Sequence, residues 1–103
     1  MSPLDIEITE LKEKIKREEE IRKSIQEEIV SIASDKELEF ESNGKTDIYN
    51  HLNDKENELR LDYNCQMELI ISQTNYLTAL INMKTRTIGK QHLKKYFFLF
   101  DSF

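Results

Sequence analysis

Apolar residues open the chain at steps of four and three: Leu4, Ile8, Leu11 and Ile15, then, after a gap, Ile25, Ile29 and Ile32. That alternation is the seam of a coiled-coil helix, with d positions at 4, 11, 18, 25 and 32 and a positions at 8, 15, 22, 29 and 36. Ser2-Pro3-Leu4-Asp5 reads as its start. Ser2 can cap, Pro3 sits where no N–H donor is needed, and Asp5 can reach back to the cap. Branched Ile at a with Leu at d in the first half favours a parallel two-stranded coil. In that arrangement Glu7 faces Lys12 and Lys14 faces Glu19 of the second chain. Such exposed pairs choose orientation; at about 0.2–1 kcal/mol each they add little stability. An antiparallel hairpin within one chain uses the same seam. Positions 18 and 22 are Glu and Arg, so two successive layers lack apolar residues. Either the coil frays or shifts there towards Ile21, or polar layers fix its register.

The seam ends after Ile32, and residues 1–35 form the first unit. Residues 36–50 are a connector with two readings. Helix 1 can run on to about Ser42 and close at Gly44 in the left-handed conformation. Alternatively, Leu38–Glu41 and Thr46–Tyr49 form a small hairpin about Asn43-Gly44, a type I′ turn signal, although two strands alone are marginal. The helix–hairpin–helix layout would be similar in outline to prefoldin chaperone subunits, with no residue motif to support it. We take the helix end.

A second helix spans residues 51–88, with Asn53-Asp54-Lys55-Glu56 as a cap-like start and Asp47 as an earlier one. Leu52, Leu59, Tyr63, Met67, Ile70, Leu77 and Ile81 mark its stripe. The step from 63 to 67 breaks a clean heptad, and Leu69, Ile71, Leu80 and Met83 widen the apolar surface. A helix apolar over so much of its circumference is buried by more than one neighbour. Residues 63–83 are therefore expected at the centre of a multi-helix assembly, with Cys65 as a small buried apolar residue. Gly89 is expected to end or bend this helix. Residues 89–103 form a basic and aromatic segment, Lys90-Gln91-His92-Leu93-Lys94-Lys95 followed by Tyr96-Phe97-Phe98-Leu99-Phe100 and Phe103.

Composition agrees with long helices. Two Gly and one Pro in 103 residues leave few of the turns that a sandwich or barrel needs. The net charge of −5 hides an asymmetry: residues 1–62 carry 18 acids and 10 bases, residues 63–103 only 2 and 5. One cysteine allows no internal disulfide and suits a reducing compartment, cytoplasmic or nuclear. No apolar run approaches the ~18–20 residues of a membrane span, and the N-terminus has no signal-peptide core.

Catalytic signatures are missing. There is no glycine-rich phosphate loop, no metal-spaced His pair and no nucleophile elbow. His51 and His92 are far apart, and Glu18-Glu19-Glu20 and Glu27-Glu28 read as solvated helix faces. We therefore expect no enzyme, no catalytic or metal-ligating residues, no cofactor and no small-molecule substrate. The stretch from Glu58-Leu59-Arg60 to Leu93-Lys94-Lys95-Tyr96-Phe97 resembles the N-terminal helix of borealin-type chromosomal passenger subunits. That resemblance implies a subunit of a chromosome-segregation complex. The family's Pro after the helix has no counterpart in Ile81-Asn82-Met83-Lys84-Thr85, so no functional residue is carried over.

The expected fold is all-α: two long helices forming a coiled coil or helical hairpin, with a short C-terminal aromatic segment. The expected function is a non-catalytic scaffold or adaptor that self-associates and helps assemble a multi-protein complex. Leu4, Ile8, Leu11, Ile15, Ile25, Ile29 and Ile32 are the self-association residues, for a homodimer or a heteromeric helical partner. Met67, Ile70, Leu77, Ile81, Tyr96, Phe97, Phe98 and Phe100 are the partner-binding residues, with docking of the aromatic tail against the protein's own helices or those of a subunit as the open alternative. The alternative is a peripheral membrane or nucleic-acid adaptor that uses the bases and aromatics from Lys84 to Phe100.

Overall fold

The computed structural model describes residues 2–95, with side chains to residue 86. It holds two helices, α1 (Pro3–Asn43) and α2 (Asp47–Lys95), which fold back on each other as an antiparallel hairpin. The molecule measures 78 × 29 × 15 Å. Its length is that of α2 itself, since 49 residues rise about 73 Å.

Local sequence sets both helix starts. Ser2 caps α1: its hydroxyl oxygen accepts from the Asp5 N–H at 3.2 Å and donates to the Asp5 carboxylate at 2.9 Å. Pro3 fills the first helical position. Thr46 starts α2. Its Oγ1 accepts from the Tyr49 N–H at 3.1 Å, and the same hydroxyl donates to Glu39 Oε1 at 2.8 Å. The end of α1 is thereby tied to the beginning of α2. Helix α2 thus begins before the Asn53 cap, and Asn53 lies within it.

The connector shrinks to Gly44–Thr46. Helix α1 continues through Leu38–Glu41, and among the described residues there is no strand. Gly44 ends the helix, its N–H donating to the Phe40 carbonyl at 2.9 Å. Its φ of 74° is positive as expected, but ψ of −154° takes it out of the left-handed helical region into one that only glycine populates readily. Phe40 and Tyr49 close the turn with rings 5.8 Å apart. At the far end α2 passes through Gly89 to Lys95. One glycine costs a helix only about 1 kcal/mol, too little to end it unaided.

The α1 seam runs along the expected register and faces α2. Ile8, Ile29 and Ile32 are buried, and Leu4, Leu11, Ile15 and Ile25 are half-buried. The α2 seam is more regular than the apolar residues alone suggest. Tyr49, Leu52, Glu56, Leu59, Tyr63, Gln66, Ile70, Gln73, Leu77 and Leu80 all lie on the covered side. Their steps alternate three and four without a break. The register shift expected between 63 and 67 does not occur, because the polar Gln66 holds the seam position and Met67 lies beside it.

Candidate interaction surface

The polar seam positions of α1 meet polar partners on α2. Gln66 Nε2 donates to the Glu18 backbone carbonyl at 3.0 Å and to its carboxylate at 2.5 Å. One turn on, the Arg22 guanidinium is braced within α1 itself, by Glu19 at 2.8 Å and Gln26 at 2.9 Å. Glu19 first, and Tyr63 across the hairpin after it, hold that guanidinium's pKa above its ordinary value. Further towards the turn, Lys36 donates to Glu56 at 3.0 Å and to Asn53 at 3.1 Å, with its ammonium 5.8 Å from the centre of the Tyr49 ring. At the open end Lys84 binds Asp5 at 2.5 Å, and the Tyr76 hydroxyl donates to Glu7. The contacts that cross from α1 to α2 align the two helices in one antiparallel register. An apolar seam would slide more easily, since any heptad shift restores it.

This geometry places the residues expected for self-association against the chain's own second helix. The face shared by Leu4, Ile8, Leu11, Ile15, Ile25, Ile29 and Ile32 is covered within the hairpin, and Glu7 reaches Tyr76 of the same chain. The expected partner-binding set divides. Ile70 is buried at 5% exposure and Leu77 is half-buried in the seam. Met67 is half-buried at its edge, and Ile81 is exposed. Tyr96, Phe97, Phe98 and Phe100 lie outside the described residues. Cys65, expected to be buried, is exposed, because its position on α2 points away from α1.

What remains outside the seam is the more informative surface. Residues 69–83 contain no charged side chain, and residues 63–83 contain only Glu68. Helix α1 covers one side of this stretch. Leu69, Ile71, Tyr76, Ile81 and Met83 stay exposed on the others. Leu69, Ile71 and Met83 belong to the widening of the apolar surface seen in sequence. Tyr76 is the addition the structure makes to that set, and its sequence signal is a spacing of seven residues from both Leu69 and Met83. The core beneath is thin: no large side chain is fully buried among the described residues. Among the same residues no helix is long and apolar enough to cross a membrane, and no cluster of His, Cys, Asp and Glu is placed to hold a metal ion.

Fold and surface define the class: a helical hairpin with a polar-locked coiled-coil seam and an exposed uncharged face on its longer helix. No protein-family model matches the chain, and neither a curated protein nor a solved structure does.

Proposed function

We propose that this chain is a non-catalytic coiled-coil scaffold or adaptor subunit, which self-associates and helps assemble a multi-protein complex. The observation that carries the reading is the uncharged stretch 69–83, four turns of helix covered on one side only. Surface helices ordinarily spread charge over the side that meets water, and contiguous apolar surface on a small protein marks an interaction site. The thin core points the same way, since a two-helix unit buries too little to be securely stable and gains from association. The hairpin then acts as a rod that presents this face to other chains. Its single thiol, exposed on α2, suits the reducing cytoplasm or nucleus.

Sedimentation of the purified chain, with circular dichroism across a concentration series, tests the proposal. The expected result is a mass above that of a monomer, with helicity and thermal midpoint rising with concentration. A stably helical monomer at every concentration overturns the self-association.

A further inference from the structure

Leu69, Tyr76 and Met83 stand seven residues apart on α2 and are 41%, 50% and 52% exposed. Cys65, Ser72 and Ala79, exposed as well, alternate with them at steps of four and three. The six positions form a second heptad stripe. At 100° per residue it is turned roughly 110° about the helix axis from the stripe that faces α1. A helix with two such stripes sits at the corner of a bundle and takes two neighbours. Helix α1 is one of them.

We infer that the other neighbour is α2 of a second copy of this chain, running antiparallel to the first. Two features select that occupant. The stripe is sorted by size, with Leu69, Tyr76 and Met83 at one heptad position and Cys65, Ser72 and Ala79 at the other. Antiparallel pairing sets the first position of one copy opposite the second position of the other. Every layer then joins a large residue to a small one, the pattern that lets facing side chains interdigitate. Parallel pairing instead stacks Tyr76 on Tyr76 and Ser72 on Ser72.

Charge makes the same choice. Residues 47–62 of α2 hold five acids and two bases, while residues 84–95 hold five bases and no acid. An antiparallel pair lays the acidic part of each copy along the basic part of the other, and a parallel pair sets like on like. The stripe itself ends in this way: Asp62 and Arg86 are its next positions outward, and both are exposed. The opposite flank, through Met67, Ile71, Thr74, Thr78 and Ile81, runs out at Asn64 and Thr85 and offers no such match.

The register follows from these pairings. With the twofold axis beside residue 74, Leu69 faces Ala79, Tyr76 faces Ser72, Met83 faces Cys65, and Asp62 faces Arg86 of the other copy. Such a contact is self-complementary, as a closed dimer requires. The inference rests on the scaffold reading for the association itself, and adds its face, direction and register.

Cysteine cross-linking of the full chain tests it. In this register the two Cys65 thiols lie roughly 27 Å apart along the pair, so the native chain forms no disulfide through this face. Met83→Cys brings a thiol opposite Cys65 of the second copy, and should give a reducible covalent dimer under mild oxidation. Asp62→Arg should weaken the dimer roughly tenfold by setting Arg on Arg in two layers, and Asp62→Arg with Arg86→Asp should restore it. Native chains that cross-link through Cys65 indicate parallel pairing and overturn the inference, with self-association standing. A dimer indifferent to all these changes also overturns it and moves the association to another face. A monomer throughout removes both readings.

Discussion

The Lys36 ammonium lies 3.0 Å from the Glu56 carboxylate across the helix pair, and Glu56 is the only charged residue buried among those described, at 6% exposure. A carboxylate out of water needs a partner, and its other neighbour, Arg60, stands at 3.7 Å with a largely exposed side chain. Lys36→Met leaves Glu56 poorly compensated and should cost about 1–3 kcal/mol, the usual penalty for orphaning a buried polar group. Lys36→Met with Glu56→Leu should recover most of that loss, because an apolar layer replaces the pair. Urea denaturation followed by helical circular dichroism measures both. A double variant no better than the single one would show that the pair contributes more than mutual compensation.

Gly44 carries a positive φ of 74°, and a Cβ built on it would meet nothing within 4 Å. Space is therefore not the constraint; backbone conformation is. Gly44→Ala should lower stability by about 1–3 kcal/mol, the range for a side chain forced into a region that only glycine favours. Thermal unfolding reads the change. An unchanged midpoint would mean that the turn relaxes to another conformation at no cost.

The two helices and the α1 register are legible in sequence because Leu4, Ile8, Leu11 and Ile15 fall on one face whatever covers it. The identity of the covering helix is not legible from those residues. A heptad seam fits a second chain and a hairpin equally, and only the long-range pairs separate them: Glu18 with Gln66, Lys36 with Glu56, Asp5 with Lys84. The α2 seam was obscured for a related reason. Glu56, Gln66 and Gln73 occupy core positions, so a search for apolar residues moves to Met67 and Ile81 at the edge. Glu56 and Gln66 become readable once they are set against Lys36 and Glu18 on the other helix. Cys65 is apolar in character yet exposed, because its face of α2 is turned outward.

The open end of the hairpin should loosen at both extremes of pH. The Lys84 hydrogen bond, and after it that of Ser2, hold the Asp5 carboxyl below the ordinary carboxylate value. A depressed carboxylate contributes stability above its unfolded pKa and loses it as pH falls through the folded value, so this contact fails below about pH 4. The hydrogen bond to Glu7 raises the Tyr76 phenol. A raised group contributes below its unfolded pKa and loses that contribution as pH rises through the folded value, on the alkaline side of about pH 10. Thermal midpoints against pH for the native chain, Asp5→Asn and Tyr76→Phe separate the two. Asp5→Asn should flatten the acid limb, and Tyr76→Phe the alkaline limb while leaving the acid limb unchanged. Limbs unaffected by either change would assign the pH dependence to other groups.

Ile70 and Ile71 are adjacent in sequence and chemically identical, yet the hairpin buries one to 5% exposure and leaves the other 54% exposed. The difference comes from the α2 register alone: 70 lies on the seam with Tyr63 and Leu77, and 71 lies off it. Ile70→Ala removes packed methyl groups from a seam that can collapse only partly, and should cost about 2–4 kcal/mol. Ile71→Ala removes the same atoms from a site already open to water, and should change stability by less than about 0.5 kcal/mol. The comparison is internally controlled, since helix propensity and hydrophobicity change equally in both. Chemical denaturation at low protein concentration gives the two values for the hairpin itself. Equal losses would place both side chains in an interface and remove the regular α2 heptad, and with it the alignment that puts Gln66 opposite Glu18.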